Sequence, residues 1–587
     1  MMKKVIDTLF FLILLLGSVH AAPTHLVDEK PVLISEVEDS VYLIDFGRVA
    51  FGNVRVVSPA AVNLTIHFGE DLKNGRVNRK PLGTVRYKAA EVHLKANEVR
   101  VVAPSKDGRN TSRGKPPTPP AVLTPKEWGV VLPFRWVEIE GWEGELKPAQ
   151  IVRQSAFSAT WDNDAAAFDC SDEMLNRVWE LCRYSIKATT FAGVYVDGDR
   201  ERIPYEADAY LNQLSHYYTD NDIQMARDTL AHLFKNPTWP TEWAPHMVFM
   251  VHADWMQTGE TEWVRRYYEI LKSKTLAERR AGDGLIASAS QDIKRTDIVD
   301  WPIGERDAYV FTSRNTVVNA FYLQSIRRME ELARALGKDD EAEVFKAEFD
   351  ESYAAFQQTF FDTETGLFMD GVGTKHSSQH ANLFSLAFGL APDEVRESMA
   401  AWLVGRGMRC SVYAAQYLLE GLFESGASEE ALSLMVAEGD RSWRHMVERG
   451  ATITWEAWDH KYKPNQDWNH AWGAAPANLL PRYVLGVQAL SPGWVTAHVR
   501  PSVSGLKFAK GKVPTPHGPI VVDWANSDNF KMELTLPKGV LAKVELPAFE
   551  ESDRVYCDGR LVQAKRIGSR WVIDELAEGT MRFVVTK

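Results

Sequence analysis

The pattern of apolar and polar positions changes twice along the 587-residue chain. In residues 23–162, short runs alternate β-branched or aromatic residues with polar ones. Val41-Tyr-Leu-Ile-Asp-Phe-Gly, Asn53-Val-Arg-Val-Val, Val62-Asn-Leu-Thr-Ile-His-Phe, Val92-His-Leu and Phe134-Arg-Trp-Val-Glu-Ile-Glu are punctuated by Gly, Pro and Asn. That is the period of half-buried strands, and it predicts a two-sheet β-sandwich. Pro104–Pro125, rich in Pro, Ser, Thr and basic residues, reads as a surface loop. Near residue 165 the period becomes helical. Ser171-Asp172-Glu173 supplies a cap and acids, after which Met174, Leu175, Val178, Trp179 and Cys182 recur at helical spacing. Amphipathic helices are expected at Glu262–Thr275, Ala308–Leu336, Glu341–Phe361, Glu394–Val404, Ala414–Glu424 and Ala431–Glu438. Roughly a dozen helices within 163–485 predict inner and outer helices paired into a closed (α/α) barrel, with function in the loops at one end. No fixed repeat period supports a solenoid. After Leu485, runs such as Ile520-Val-Val-Asp-Trp and Phe530-Lys-Met-Glu-Leu-Thr-Leu predict a second, smaller sandwich over 486–587.

The first 22 residues follow a different logic. Lys3 and Lys4 precede the apolar run Leu9–Leu16, and Val19-His20-Ala21 offers a small-residue cleavage site. Met1–Ala22 therefore reads as a signal peptide, predicting a mature protein exported to a bacterial periplasm or exterior. No other run approaches the 18 residues of a membrane span. The net charge of −12 and the lack of a long basic run argue against nucleic acid or an anionic membrane as partner. The four cysteines form no C-x-x-C pair, so neither zinc nor a redox cofactor is expected.

Candidate chemistry gathers in two places. Val196–Asp222 packs Asp197, Asp199, Glu201, Glu206 and Asp208 around Arg200 and Arg202, with Tyr205 and an apolar segment on either side. Such crowding can keep one acid protonated while its neighbours stay ionised, as general acid catalysis requires. A structural ion-pair network produces the same pattern. The second cluster is Gly450–Asp459, where Glu456 lies between Trp455 and Trp458, followed by Asp467 and His470. Aromatic walls make a carboxylate more basic. A His before a helical run, as here, is more often a hydrogen-bonded support than a catalyst. Glu201 and Glu456, about 255 residues apart, form a candidate acid–base pair that only a closed barrel would bring to one pocket. Trp is abundant, at 19 copies, and aromatic planes suit the apolar faces of sugars as well as core packing. The Asp300-Trp301 loop is a candidate for sugar hydroxyls. His376 and His380 have helical metal-ligand spacing but lack the intervening Glu of the metalloprotease motif, and no metal is expected.

On these motifs the chain resembles the bacterial α-L-rhamnosidases of glycoside hydrolase family 78. That family's loop Asp-x-Pro-x-Arg-Glu-Arg-x-x-Trp-x-x-Asp is similar to Asp197-Gly-Asp-Arg200-Glu201-Arg202-Ile-Pro-Tyr205-Glu-Ala-Asp208. Its Thr-Thr-x-Trp-Glu-x-Trp is similar to Thr452-Ile-Thr-Trp455-Glu456-Ala-Trp458, and Asn469-His470 matches the Asn-His beyond it. The resemblance implies a multidomain α and β fold, with a central (α/α)6 barrel flanked by N-terminal and C-terminal β-sandwich domains. It implies Glu201 as general acid and Glu456 as general base in inverting, exo-acting release of α-L-rhamnose from a carbohydrate. It implies Asp197, Arg200 and Asp208 as holders of the sugar hydroxyls. Arg202, Tyr205, Trp243, Trp255, Asp300, Trp301, Trp455, Trp458 and His470 complete the expected pocket. Two departures stand out. One residue is missing between Asp197 and Arg200, which leaves Asp197 and Asp199 as alternative sugar-binding carboxylates. Tyr205 stands where the family has Trp. Other readings of the same residues are a hydrolase or lyase acting on an acidic or unsaturated sugar, and a non-catalytic carbohydrate-binding protein.

Overall fold

The computed structural model describes residues 23–115 and 118–586, so the expected signal peptide lies outside the described residues. The N-terminal part is one continuous antiparallel sheet of eight strands. Its strands are β1 (Thr24–Glu29), β2 (Leu33–Glu38), β3 (Val41–Val57), β4 (Val62–Gly69), β7 (Tyr87–Leu94), β8 (Val99–Val102), β9 (Leu132–Glu140) and β10 (Ile151–Ser158), with a small separate hairpin of β5 (Leu72–Lys73) and β6 (Arg76–Val77). The order is β1-β10-β3-β9-β4-β7, with β2 and β8 also on β3. The sequence reads Val41–Gly47 and Asn53–Val57 as two strands; they form a single strand of 17 residues. Its register against β9 shifts between Asp45 and Ala50, a bulge that lets one strand turn a corner and enclose a core of Ile44, Val54, Phe68, Phe134 and Ile139.

Helices fill most of the middle of the chain, and the boundary errors have local causes. The helix expected from Ala308 begins at Thr316, because Asn315 caps it by accepting from Val318 N. Ala414–Glu424 is as expected. One strand, β11 (Ala167–Cys170), precedes the first helix and pairs with Phe508–Val513 far down the chain, tying the start of the barrel to the C-terminal sheet. The C-terminal part is a seven-stranded sheet facing a five-stranded one. Barrel and C-terminal sandwich share one continuous apolar core.

The N-terminal sandwich meets the barrel through a small separate cluster: Phe51, Val131 and Ala156 pack on Phe191, Val194 and Val196. The rings of Phe51 and Phe191 stack at 3.7 Å. This contact fixes the segment that leads into Asp197. The next residue, Gly52, must lack a side chain, since a Cβ there would lie 2.4 Å from the backbone oxygen of Gln154 on the paired strand. Gly52→Ala is therefore expected to cost about 2–3 kcal/mol, the range of a backbone clash in a core. Thermal or urea unfolding measures it, and an unchanged midpoint would mean that β10 yields freely.

Candidate active site

Two loops at one mouth of the barrel build the site. The first, residues 197–205, lies between the helix Glu173–Thr189 and the helix Glu206–Tyr217. It folds back on itself: Asp197 N donates to Ile203 O at 3.0 Å, and Ile203 N donates to Asp197 Oδ1 at 2.9 Å. Gly198 has φ +102, and a Cβ there would press on Asn469 O at 2.8 Å and Asp467 Oδ2 at 3.0 Å. Only glycine lets the shortened loop pass so close to the second one. The second loop pairs its own halves, with Glu456 N donating to Asp467 O at 3.2 Å and His470 N donating to Thr454 O at 2.9 Å.

Arg200 joins the loops. Its Nη1 and Nη2 grip Glu456 Oε2 and Oε1 at 2.6 and 2.8 Å, and its Nε lies 3.6 Å from Glu201 Oε1. One guanidinium thus lies between both candidate catalytic carboxylates. The Glu456 pair raises the Arg200 pKa despite burial. Lys463 Nζ lies 3.2 Å from Glu456 Oε1, and Asp467 N donates to Oε2 at 3.3 Å. Glu201 stands nearer solvent, its side chain 39% exposed, and accepts from Tyr205 Oη at 3.1 Å.

Around this pair the other acids divide by role. Asp197 is buried beside Glu201, and burial first, then the Glu201 charge, holds it far above the usual carboxylate range. His470 is buried too. Burial alone would lower its pKa, but Asp208 Oδ1 at 2.7 Å and Asp467 Oδ1 at 3.4 Å outweigh that and push it up to about 10. His470 is thus an imidazolium locked under the floor, the supporting role that its position suggested. Burial raises Asp208 even against this partner. Glu456, Asp467 and His470 offer ligand atoms within 4.8 Å of one another, a metal-like grouping. Arg200, Lys463 and the imidazolium already fill it with positive charge, which does not suit a cation.

Several expected pocket residues sit elsewhere. Asp199 turns outward. Its carboxylate is held by Arg86, by Arg202 at 2.6 and 3.0 Å and by Asn110 at 3.3 Å, while its N–H donates to Asn469 Oδ1 at 2.7 Å. Of the two alternatives, Asp197 is thus the one left facing the acid pair. Arg202, at φ +56, donates to Val131 O at 2.6 Å and lies over the Phe191 ring, so it braces the sandwich and does not reach a sugar. Asp300 is fully buried and used by His380 Nε2 at 2.7 Å, by Ser411 N at 2.9 Å and by the Ser411 hydroxyl. His376 faces Asp370 instead, so the two histidines share no ligand. Trp255 is nine residues along the helix His246–Thr258, roughly 14 Å from the end nearer the site. Trp458 is buried, its Nε1 donating to Cys410 O at 2.7 Å, and Trp455 stacks on Trp468 at 5.0 Å. These two rings are supporting walls and not open sugar platforms. Trp243 is buried behind Tyr205, edge-to-face at 5.6 Å. Trp301 is half-buried, with Trp239 edge-on at 6.5 Å and Lys463 Nζ above its ring at 5.4 Å.

The sequence did not point to Lys463, Arg86, Asn110 or Glu70. Lys463 lies between the two motifs of the second loop, where its position is the only signal. The others belong to the sandwich or to its long loop between β8 and β9. That loop, Pro104–Pro125, is no loose surface connection: Asn110 donates to Asp199 O at 2.9 Å and Val122 N to Arg202 O at 2.9 Å. Glu70, at the end of β4, accepts from Arg86 N at 2.7 Å and from Asn469 Nδ2 at 3.1 Å.

A barrel mouth with facing carboxylates defines the class as a six-hairpin glycosidase fold. Family models for the bacterial alpha-L-rhamnosidase concanavalin-like domain, six-hairpin glycosidase domain and C-terminal domain match residues 35–157, 163–484 and 486–557. The chain belongs to the bacterial alpha-L-rhamnosidase family. It is similar to an alpha-L-rhamnosidase of Alteromonas sp. (strain LOR), with 23% identity over 90% of this chain and 58% of the relative, and to one of Formosa agariphila, with 22% identity over 70% and 47%. The chain spans about half the length of these curated relatives. Among solved structures it shares the fold of the alpha-L-rhamnosidase from Dictyoglumus thermophilum, with TM-score 0.80 and 18% identity over 97% of this chain and 64% of that one. The Streptomyces avermitilis enzyme complexed with L-rhamnose has TM-score 0.78, at 18% identity over 96% and 54%.

Burial pushes Glu70 up to about 8 from an ordinary 4.5. The folded protein then keeps a proton that the unfolded chain releases, so stability falls as pH rises from about 4.5 to 8. Glu70→Gln should flatten that slope by up to about 1.4 kcal/mol per pH unit. Urea midpoints between pH 4.5 and 6.5, below the range where His470 titrates, provide the measurement. Parallel curves for variant and wild type would contradict the assignment.

Proposed function

We propose that the protein is an exo-acting α-L-rhamnosidase that releases terminal rhamnose from a plant or algal carbohydrate with inversion. The observation that carries this reading is Arg200, which brings Glu201 and Glu456 to one mouth. Glu201, the more exposed carboxylate, protonates the glycosidic oxygen as the C1–O bond breaks. Glu456 takes a proton from water attacking the opposite face of C1. Asp197, buried beside Glu201, is placed to hydrogen-bond a ring hydroxyl. Glu456 accepts from both Nη atoms of Arg200 and from Asp467 N, and pairs with Lys463 Nζ.

Among the described residues no helix is long and apolar enough to cross a membrane. Export through Met1–Ala22 is part of the same reading. The extra cations at the site favour no second reading, because Arg200 and Lys463 are both committed to Glu456.

Glu201→Gln and Glu456→Gln should each lower kcat on 4-nitrophenyl α-L-rhamnoside by roughly two to four orders of magnitude, with native melting curves. The Glu201 variant should lose less there than on an alkyl rhamnoside, because nitrophenolate leaves with little help. Wild-type rates for both variants would refute the assignment.

A further inference from the structure

Tyr205 is the clearest departure from the family motif, and its hydroxyl is in contact with the candidate acid. Its hydroxyl donates to Glu201 Oε2 at 3.1 Å. The backbone at Tyr205 is extended, φ −118 and ψ 147, at the entry to the helix Glu206–Tyr217. The ring is fixed edge-to-face on Trp243, which is itself packed edge-on against Trp472 at 6.5 Å. The Trp472 Nε1 in turn donates to the backbone oxygen of Glu456 at 3.1 Å. An aromatic wall thus connects the two catalytic loops, and the phenol projects from it toward the acid. Burial first, then the charges of Asp197 and Glu201, keeps the phenol protonated, so toward Glu201 it acts as a donor.

We infer that Tyr205 is a positioning residue for proton donation. It rests on the hydrolase reading above and acts through Glu201, without touching the sugar. With Oε2 occupied by Tyr205, Oε1 is the oxygen left to carry the transferable proton, and it faces Arg200 Nε. In the chemical step the Oε1–H proton passes to the glycosidic oxygen. The electron pair of the C1–O bond goes to that oxygen, and Glu201 is left as a carboxylate. A hydrogen bond to a carboxylate stabilises it more than one to the neutral acid. The Tyr205 O–H therefore strengthens as the proton leaves and stays intact throughout. Its benefit is largest for alcohols that leave poorly, because their transition states need the most complete proton transfer.

The experiment compares the full chain with Tyr205→Phe and Glu201→Gln on 4-nitrophenyl and methyl α-L-rhamnosides. Tyr205→Phe should keep kcat on the nitrophenyl substrate within about two-fold and lose about ten-fold on the methyl substrate. The alkaline limb of its kcat/KM profile should move to higher pH, with the melting temperature unchanged. A ring that served only as packing would instead lower both rates equally and leave the limb in place. Equal losses, or none, overturn the inference while the hydrolase reading stands. A wild-type protein inactive on both substrates, or a fully active Glu201→Gln, overturns the hydrolase reading and this inference with it.

Discussion

Arg200 is the charge on which the site depends. Two carboxylates from loops about 255 residues apart repel each other, and a guanidinium between them makes their approach favourable. A buried arginine must itself be held, or its desolvation would expel it. Here Glu456 supplies a bidentate partner, and Asp199, the residue before, is anchored in the opposite direction. The loop is thus pulled from both sides, and its short span, with Gly198 at a positive φ, leaves little freedom.

Asp199 carries that tension out of the barrel. Its partners Arg86 and Asn110 belong to the N-terminal sandwich, Asn110 on its long β8–β9 loop, and Glu70 meets Asn469 at the same junction. The sandwich therefore helps to hold both loops of the candidate site in place. Below the pocket, the His470 imidazolium between Asp208 and Asp467 balances two further buried acids. The negative charge that the chain concentrates here is matched group by group: Arg200 and Lys463 for Glu456, Arg86 and Arg202 for Asp199, His470 for the floor.

Much of the plan was legible in the sequence, for reasons that differ by element. The switch from period 2 to helical spacing and back marked the three parts, because each period reports one buried face. Glu201 and Glu456 stood out because acids among arginines or tryptophans are unusual. Legibility failed where direction mattered. Nothing in the local pattern says that Asp199 turns toward the sandwich and Asp197 toward the acid pair; partners far along the chain decide that. Arg202, Asp300 and Trp458 looked like pocket residues because motifs keep their supports beside their reactive groups. Trp255 shows the converse: a residue on a pocket-forming helix can lie well away from the pocket. β3 read as two strands because the bulge between Asp45 and Ala50 interrupts the alternation that defines a strand.

The central claim is that the two carboxylates flanking Arg200 hydrolyse an α-L-rhamnoside by direct displacement with water. Proton NMR of the first sugar released from 4-nitrophenyl α-L-rhamnoside, recorded before mutarotation, tests it most directly. The account predicts that β-L-rhamnose appears first and the α anomer grows in later. α-L-rhamnose as the first product would contradict it, because retention requires one of these carboxylates to bond to C1.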